Sequence, residues 1–472
     1  MPLNKGVRME QSLSASRMAA EHRAGARDPA DSVAASLARA HRSQGRFNPF
    51  ACLDDDAAMA AAGRVGDLAG VPVSVKDILD VAGLPTRFGS PLMAHASPAA
   101  ADIIAVQRLR AAGAVVIGKT TTTEFAWSAI GASPLTGLTV NPWAPGLTCG
   151  GSSLGAGVSV ALGVTPIALA TDAGCSTRLP AACTGTFGLK PTLGTIPHER
   201  VPDGFGNFIH LGLLACDVDD LAFVLPVIAG PDPRDPHSLF RPPLTAQPAR
   251  LHGARILLWP RCGNARVGAE IAANLARVAA ILRDLGADII EAEYQLPHPD
   301  PIWRTLQQLN WASRFAAASA RDRAMLSDGF NAGIDAGAAS SGLDVARAAA
   351  GRTAIFRGVQ AQFNDGVDFI LTPCTATAAV AAELDPAAPL LIDGTDGGNL
   401  RADWTPYLSL FDLSGHPAIS IPSGIAESGA PIGVQLVGGF GEDMRLLAAA
   451  SALANVMPPP RFSMFEEMDA GR

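Results

Sequence analysis

Two segments of the chain repeat one local design, a helix that stops at a glycine and is followed by an apolar strand. The first is IIAVQRLRAAGAVVIGKT at 103–120, with Gly113 as the stop; the second is IAANLARVAAILRDLGADIIEAE at 271–293, with Gly286. In the second, apolar residues recur every three or four positions, as on one face of a helix. Repeated helix–strand units bury their strands beneath helices, so the pattern predicts an α/β fold with a buried sheet.

Three further segments are predicted to form strands of that sheet. GVPVSVKDILDVAG at 70–83 alternates, with its valines on one face and Lys76 on the other. The segments 368–378 and 416–424 are apolar and end in loops that contain proline. All three therefore extend the predicted sheet along most of the chain.

The chain shows no obvious boundary between domains. Residues 1–27 are polar, and we expect this amino-terminal segment to be mobile. From residue 28 to residue 472 we expect one large domain. Within it, the stretch 231–255 is rich in proline and charge and is predicted to link the first half to a helical region.

Composition excludes several classes of protein. Hydrophobic residues make up 48% and charged residues 17%, which is typical of a folded globular chain. The 36 basic and 44 acidic residues give a net charge of -8, and no basic run interleaved with aromatic residues indicates a nucleic-acid partner. The longest weakly polar run, 158–170, is too short to span a bilayer and contains Pro166. We therefore expect a cytoplasmic protein with neither a membrane nor a nucleic acid as partner.

Cysteine and histidine usage gives no indication of a metal centre. The seven cysteines form no CxxC pair, and the nine histidines form neither HxH nor HExxH. We therefore expect no metal and no cofactor.

One short match points to a nucleotide, and its context argues against it. Residues 113–120 fit the phosphate-loop pattern GxxxxGK[ST]. The residues between the glycines are AVVI, which predicts a strand where a phosphate loop needs an exposed turn ahead of a helix. We therefore expect a strand here and no nucleotide site.

The segment 148–192 is the most informative part of the chain. Its first half places Ser152 and Ser153 after two glycines, where serines suit a helix N-cap. Its second half places Ser176 after Asp-Ala-Gly-Cys, a turn whose consecutive N–H groups are able to converge on an oxyanion. Taken alone, each half is also compatible with a loop of small residues.

Together with other segments, this region resembles the amidase signature family. The family's central pattern, approximately GGSSGGS and then GTDTGGSIRIPA, is similar to 150–157 and 170–181 here, and its lysine segment is similar to 70–90. The resemblance spans about residues 30 to 455, with 256–365 as a more variable, mainly helical region. Further matching blocks are 118–127, 141–143, 186–192, 227–236, 371–378, 411–424 and 431–438. The resemblance implies a single α/β/α domain whose central mixed sheet is flanked by helices.

The resemblance also implies a catalytic triad. Ser176 is the expected nucleophile, which forms an acyl-enzyme. Ser152, joined through a cis peptide in the family, is expected to relay protons between Ser176 and neutral Lys76, the base. The backbone N–H groups of Ala173, Gly174, Cys175 and Ser176 are the expected oxyanion hole. Ser153, Asp172 and Arg178 are expected to support this site. Asp172 and Arg178 are expected to form an ion pair that holds the turn.

The lysine assignment has a physical requirement. A lysine with an ordinary pKa of about 10.4 must lose roughly 3 units to act as a base near neutral pH, and full burial supplies such a shift. Lys76 lies on a valine-rich strand, and the neighbouring Asp77 is expected to face the other way. The alternatives are a solvated Lys76 at a strand end and a Ser152 that only caps a helix.

The chain departs from the family pattern at several positions. Cys175 and Leu154 replace glycines, Ala173 replaces a threonine-like residue, and Thr121 replaces an asparagine. If position 175 needs a positive φ, cysteine strains the turn; if it needs only a small side chain, cysteine fits. Cys175 is also an alternative nucleophile, although the motif assigns that role to Ser176.

The resemblance gives a hypothesis for the substrate. Phe125, Ala126, Trp127 and Phe208 fall in blocks expected to line an apolar acyl pocket, as does Phe205, although Phe208 fits a core position equally well. We expect hydrolysis of a small apolar or aryl amide, with ester or carbamate as further options. Lys119 and Glu124 are interpreted as structural.

Two other functions stay open at this stage. One is the glutaminase component of a tRNA-dependent amidotransferase, which needs a partner that receives ammonia. The other is a non-catalytic binding homologue. We expect a small-molecule amide as the ligand and a monomer or homodimer as the assembly.

Overall fold

The computed structural model describes residues 13–240, 243–248, 250–292 and 295–462. Their strands are β1 (Phe50–Leu53), β2 (Pro72–Lys76), β3 (Val115–Thr120), β4 (Ile167–Asp172), β5 (Phe187–Lys190), β6 (His210–Ala215), β7 (Arg255–Leu258), β8 (Asp288–Glu291), β9 (Phe369–Pro373), β10 (Pro389–Ile392), β11 (Thr395–Asn399), β12 (Ala418–Ile425) and β13 (Pro431–Gly438).

The helices of the same residues cover both ends and the middle of the chain. They are α1 (Ala15–Arg23), α2 (Pro29–Phe47), α3 (Asp55–Ala61), α4 (Ile104–Ala111), α5 (Leu154–Ala161), α6 (Arg178–Thr184), α7 (Val218–Ile228), α8 (Ala269–Asp284), α9 (Pro299–Arg314), α10 (Ala320–Arg323), α11 (Asp328–Ala339), α12 (Gly342–Asn364), α13 (Leu400–Trp404), α14 (Pro406–Ser414) and α15 (Asp443–Val456).

Within the described residues, eleven strands form one mixed sheet. Their order is β1-β3-β2-β4-β6-β5-β12-β13-β9-β7-β8. The neighbours β3, β2 and β4 are parallel, as are β9, β7 and β8, whereas the strands between β4 and β9 pair antiparallel. Strands β10 and β11 form a separate hairpin. The mixed central sheet of the predicted α/β domain is confirmed.

Helices cover both faces of this sheet. On β9, Phe369 and Leu371 belong to one buried cluster, which includes residues of α4, α7, α8 and α15, while Ile370 belongs to another that includes residues of α9, α11, α12 and α14. Successive side chains of a strand point to opposite faces, so the two clusters lie on the two sides of the sheet. On β2, Val73 and Val75 join the first cluster, and Lys76 faces the opposite side.

Part of the amino-terminal segment differs from the expectation of mobility. Residues 1–12 lie outside the described residues, but Ala15–Arg23 form α1, with Ala15, Met18 and Ala19 buried against the first cluster. Asp220 of α7 accepts hydrogen bonds from the N–H of Ala15 at 2.7 Å and of Ser16 at 2.9 Å. A long-range cap therefore holds a segment whose local composition is polar.

The phosphate-loop match falls on a strand, as predicted. Gly113 has φ +93° and lies between the end of α4 and β3. Its successors pair with β2 in a parallel register. A further finding is that no helix in the described parts of the chain combines the length and apolarity needed to cross a membrane.

Candidate active site

Lys76 ends β2 at the carboxyl edge of the parallel part of the sheet. It is fully buried, and its Nζ donates hydrogen bonds to Ser152 Oγ at 2.7 Å and to Thr171 Oγ1 at 3.0 Å. Val75 pairs with Leu169 in the neighbouring β4, so the ends of these two strands lie side by side. The fold thereby brings the sequence-predicted base into contact with the sequence-predicted relay serine.

Burial lowers the pKa of Lys76 from 10.5 to about 7, against the weaker opposing influence of Asp172 and then of Cys175. Both of its hydrogen-bond partners are hydroxyls, which offer the ammonium form little compensation for lost water. Asp77 faces away and pairs instead with Lys119 at 3.0 Å, so it leaves Lys76 without a carboxylate in contact. The amine is therefore available in its neutral form near pH 7.

The two serines of the glycine turn have different surroundings. The Gly151–Ser152 peptide bond is cis, and the Ser152 hydroxyl accepts from Lys76. Ser153 occupies the N-cap position of α5, but its hydroxyl makes no capping bond; its partner is the carbonyl of Thr171 at 3.5 Å. Helix capping by a serine side chain, the simple alternative for this pair, is therefore wrong.

The turn from Ala173 to Ser176 follows β4 and precedes α6. Within the described residues, none accepts a hydrogen bond from the four backbone N–H groups of this turn. The carbonyl of Ala173 faces outward and accepts the indole N–H of Trp303 at 2.6 Å. In a trans peptide the next N–H points the opposite way, so the Trp303 bond directs the N–H of Gly174 away from Trp303.

Asp172 and Arg178 anchor the same turn from below. Both are fully buried, and Arg178 Nε lies 2.8 Å from Asp172 Oδ2, while its Nη2 lies 2.6 Å from Asp412 Oδ2. Asp172 also accepts from the N–H groups of Thr177 and Arg178. Burial alone would raise the pKa of Asp172, but the charge of Arg178 outweighs it, and the pKa is lowered. The carboxylate is therefore a fixed structural anchor.

Cys175 fits the turn without strain. Its φ is not positive, so position 175 does not demand glycine. The buried thiol lies 3.7 Å from the carbonyl oxygen of Gly151 and 3.9 Å from Arg401 Nη1. Burial raises the pKa of the Cys175 thiol to about 11, so at pH 7 only about one molecule in ten thousand carries the thiolate. These properties disfavour Cys175 as a nucleophile.

At Gly174 any side chain would have to displace the residues that cover the turn. A Cβ there would lie 2.5 Å from Arg401 Nη2 and 2.8 Å from Trp303 Nε1. The guanidinium of Arg401 lies 3.7 Å from the centre of the Trp303 ring. The turn is thus covered by a stacked pair contributed by α9 and α13.

A cavity of about 460 Å³ opens over these groups. Ser152, Thr171 and residues 173–176 form one wall of it. Its aromatic lining includes Phe88, Phe125, Trp127, Trp303 and Trp311, and its charged lining includes Asp80, Glu199, Arg200, Arg314 and Arg401. Phe125, Ala126 and Trp127 therefore line the cavity where the sequence analysis placed them.

Phe208 does not line this cavity, and its assignment to the substrate pocket is corrected. It is 1% exposed and faces a different cavity of about 500 Å³, together with Phe205. Arg352 lies over its ring at 5.7 Å. Phe208 belongs to a buried hydrophobic cluster, so the core interpretation was the better one.

The two residues interpreted as structural each make buried contacts. Lys119 pairs with Asp77, as described above. Glu124 accepts the hydroxyl of Ser90 at 2.7 Å through Oε1, and both the N–H and hydroxyl of Ser327 through Oε2. Ser327 precedes α11, so Glu124 ties the serine-rich half of the molecule to the helical middle.

Sequence reasoning missed four residues of the site. Thr171 carried a faint signal, because it is a polar residue in an otherwise apolar strand beside the nucleophile motif. Trp303, Arg314 and Arg401 carried none, because they lie more than a hundred positions from the turn in segments without a motif. In the described parts of the chain, no group of three or more histidine, cysteine, aspartate or glutamate side chains is arranged to hold a metal ion.

Comparison with known proteins identifies the family. The model of the Amidase family matches residues 31–447. The chain belongs to the amidase signature family. This amidase is a hydrolase of carbon–nitrogen bonds that acts on amides.

Three relatives illustrate the range of this family. An acylamidase of Rhodococcus erythropolis is 32% identical over 84% of this chain and 83% of its own. A glutamyl-tRNA(Gln) amidotransferase chain of Rhodopirellula baltica is 32% identical over 91% of this chain and 95% of its own. The crystal structure of a bacterial aryl acylamidase of the amidase signature family superposes with a TM-score of 0.88, with 26% identity over 97% of this chain and 98% of its own.

Proposed function

We propose that this amidase is a serine amidohydrolase that works through an acyl-enzyme on Ser176, with Ser152 as proton relay and neutral Lys76 as base. One observation carries the proposal: a fully buried lysine, with a pKa of about 7, donates to Ser152 Oγ at 2.7 Å on the wall of the cavity that Ser176 also lines. A serine hydroxyl needs an adjacent base to become a nucleophile, and this arrangement supplies one.

The proposed reaction has two halves. Ser176 Oγ attacks the carbonyl carbon while its proton passes to Ser152, whose own proton passes to Lys76. The N–H groups of residues 173–176 stabilise the oxyanion. Collapse of this intermediate breaks the C–N bond, and the proton held by Lys76 returns through Ser152 to the departing amine. Water then attacks the acyl-enzyme with the same relay, which releases the acid and restores Ser176.

The cavity lining supports an apolar or aryl amide as substrate. Its aromatic side chains from three parts of the chain offer flat apolar surfaces. Phe125 stacks between Phe88 and Phe330, with ring centres 5.2 and 5.4 Å away, so this wall is rigid. The similarity to an aryl acylamidase favours the same substrate class. Esters and carbamates present the same carbonyl and are proposed as secondary substrates.

A glutaminase role is the second candidate, favoured by the similarity to a glutamyl-tRNA(Gln) amidotransferase chain. Glutamine is small and carries two charged groups beside its amide. The aromatic lining is better matched to a substrate with an aryl or apolar part, which glutamine lacks, so the stand-alone amidohydrolase is preferred.

A substrate panel with active-site labelling tests the proposal. Wild-type protein, Ser176→Ala and Cys175→Ala are incubated with 4-nitroacetanilide, aryl esters, aryl carbamates and L-glutamine, and separately with a fluorophosphonate. We expect wild type and Cys175→Ala to hydrolyse the anilide and to be labelled, and Ser176→Ala to do neither. Anilide turnover that survives in Ser176→Ala and is lost in Cys175→Ala would overturn the assignment. Turnover of glutamine alone would favour the glutaminase.

A further inference from the structure

Arg314 is a charged residue of the cavity that the proposed chemistry does not use. It is the last residue of α9, and its guanidinium carbon lies 4.3 Å from the ring centre of Phe88 and 5.0 Å from that of Phe125. Both rings line the cavity, as Arg314 itself does. Two aromatic faces therefore hold the cation in place, and a guanidinium held in this way keeps its N–H donors for other partners.

Those donors find no acceptor in the described parts of the chain. Within the described residues, no carbonyl, hydroxyl or carboxylate lies within hydrogen-bonding or ion-pairing distance of Arg314. Two other arginines near the site are ion-paired. Arg200, at the same cavity, pairs with Asp80 at 2.9 Å, and Arg178 pairs with Asp172 and with Asp412.

The position of Arg314 on its helix explains only part of this arrangement. A cation at a helix C-terminus is favoured by the helix dipole, which accounts for the sign of the charge. It does not account for the placement of that cation over two rings of a cavity wall. The Arg314 side chain is exposed in part to the cavity opening. Burial of its remainder, and then the charge of Arg200, lowers the pKa of Arg314, while the charge of Asp80 opposes this shift.

The charged side chains of the cavity also favour an anionic group in the substrate. Arg401 is a second cation there: its Nη1 donates to Thr405 Oγ1 at 3.2 Å, while its buried Nε and Nη2 have no hydrogen-bond partner among the residues that the structure describes. The lining also holds two carboxylates: Asp80 pairs with Arg200, and Glu199 accepts the N–H of Ile104 through Oε1, while its Oε2 has no partner among the described residues. The described lining thus holds three arginines against two carboxylates, a net positive charge in a chain whose own net charge is -8.

We propose that Arg314 selects amide substrates that carry a carboxylate in addition to the scissile amide and an aryl or apolar part. The carboxylate accepts two parallel N–H bonds from the guanidinium edge, the geometry that arginine and carboxylate favour. This inference rests on the proposed function, since it names the substrate class of the same site. Arg314 is a specificity residue and takes no part in bond breaking.

Matched acid and ketone substrates test the inference. One series consists of the mono-4-nitroanilides of succinic, glutaric and adipic acid, each paired with the methyl ketone of equal length. The other pairs 4-acetamidobenzoate with 4-acetamidoacetophenone. For wild type we expect the ratio of kcat/KM, acid over ketone, to exceed about 10 in at least one pair, because a hydrogen bond between charged groups gives such a factor.

Three variants assign the preference to Arg314. Arg314→Met is expected to lower that ratio about tenfold or more, and Arg314→Lys, which keeps the charge without the planar fork, to lower it less. Arg304→Met is the matched control, because Arg304 lies on the same helix, pairs with Asp300 at 3.0 Å and does not line the cavity. It should leave the ratio unchanged. A ratio that is equal in wild type and Arg314→Met overturns the inference.

A binding measurement separates this inference from the proposed function. In Ser176→Ala, calorimetry gives the Kd of each acid and ketone without turnover. Turnover by wild type with no acid preference in rates or in Kd overturns the role of Arg314 alone. Tighter binding of the acid, lost in the Ser176→Ala, Arg314→Met double variant, with no turnover by wild type, supports Arg314 and overturns the proposed hydrolysis. Equal or undetectable binding of acid and ketone without turnover overturns both.

Discussion

Two lysines lie at strand ends, Lys76 on β2 and Lys190 on β5. Their amines have the same lowered pKa but different hydrogen-bond partners. Both are fully buried, and burial lowers the pKa of each to about 7. Lys76 donates to the hydroxyls of Ser152 and Thr171, whereas Lys190 donates to the backbone carbonyls of Pro191 at 3.1 Å and His416 at 2.6 Å. A lowered pKa therefore does not by itself mark a base.

The difference lies in what the partner atoms are able to exchange. A hydroxyl both accepts and donates, so a neutral amine beside it has a proton to take. A carbonyl only accepts, so an amine between two carbonyls has a structural role as donor. Both hydroxyl partners of Lys76 line the cavity, whereas neither Pro191 nor His416, the partners of Lys190, lines it. Geometry around the amine, more than its pKa, separates the two roles.

Of the variants considered, replacement of the proposed base should lower kcat/KM the most. Lys76→Met keeps the length and removes the amine, and we expect kcat/KM for an anilide to fall about 10³-fold, the scale of a lost general base. Steady-state kinetics with a folding check by circular dichroism measures it. A fall of less than tenfold would show that Lys76 is not the base.

The pH profile should follow Lys76. Its pKa is lowered to about 7, so the amine is protonated and inactive below that pH and neutral above it. We expect kcat/KM to rise about tenfold per pH unit up to a midpoint near 7 and then to level off. The midpoint of the profile should be unchanged in Lys190→Met. A midpoint that moves in this variant would show that the titration depends on Lys190 and contradict its assignment to Lys76.

Removing the second hydroxyl partner should give an intermediate effect. Thr171→Val preserves shape but deletes the hydrogen bond at 3.0 Å from Lys76 Nζ, and we expect kcat/KM to fall about tenfold through poorer placement of the amine. Thr165→Val is the control, because this buried threonine bonds Ser74 Oγ instead. Equal losses in the two variants would reduce the role of Thr171 to packing.

The smallest effect on catalysis is expected at Lys190. Lys190→Met leaves the carbonyls of Pro191 and His416 without their donor, so the free energy of unfolding should fall by about 1–3 kcal/mol. Activity per folded molecule should stay within about threefold of wild type. Chemical denaturation and active-site titration measure the two quantities, and a loss of activity comparable to that of Lys76→Met contradicts the comparison.

The sequence was sufficient for the fold class because hydrophobic periodicity is a local property. The units at 103–120 and 271–293 became a helix followed by a strand, and the valines of 70–83 did turn to the face opposite Lys76. Errors arose where contacts are distant. The polarity of 13–27 concealed a helix that Asp220 holds, about 200 positions away, and Ser153 has the position of a cap without the bond.

The candidate site divides in the same way. The spacing of Ser152 and Ser176 and the strand that carries Lys76 are features of short segments, so the sequence alone named them, along with the family. The sequence could not predict that Trp303 and Arg401 cover the turn. Trp303 donates to Ala173, 130 positions away, and Arg401 lies near Cys175, 226 positions away.

The sequence by itself thus determined the strand–helix framework and the family, and it named the residues proposed to react. Only the tertiary structure decided that Lys76 bonds hydroxyls whereas Lys190 bonds carbonyls. It also decided that Arg314 lines the proposed substrate cavity and that Phe208 does not. The physical reason is that burial, and with it the pKa and the choice of hydrogen-bond partner, depends on segments that become neighbours only when the sheet and its covering helices assemble.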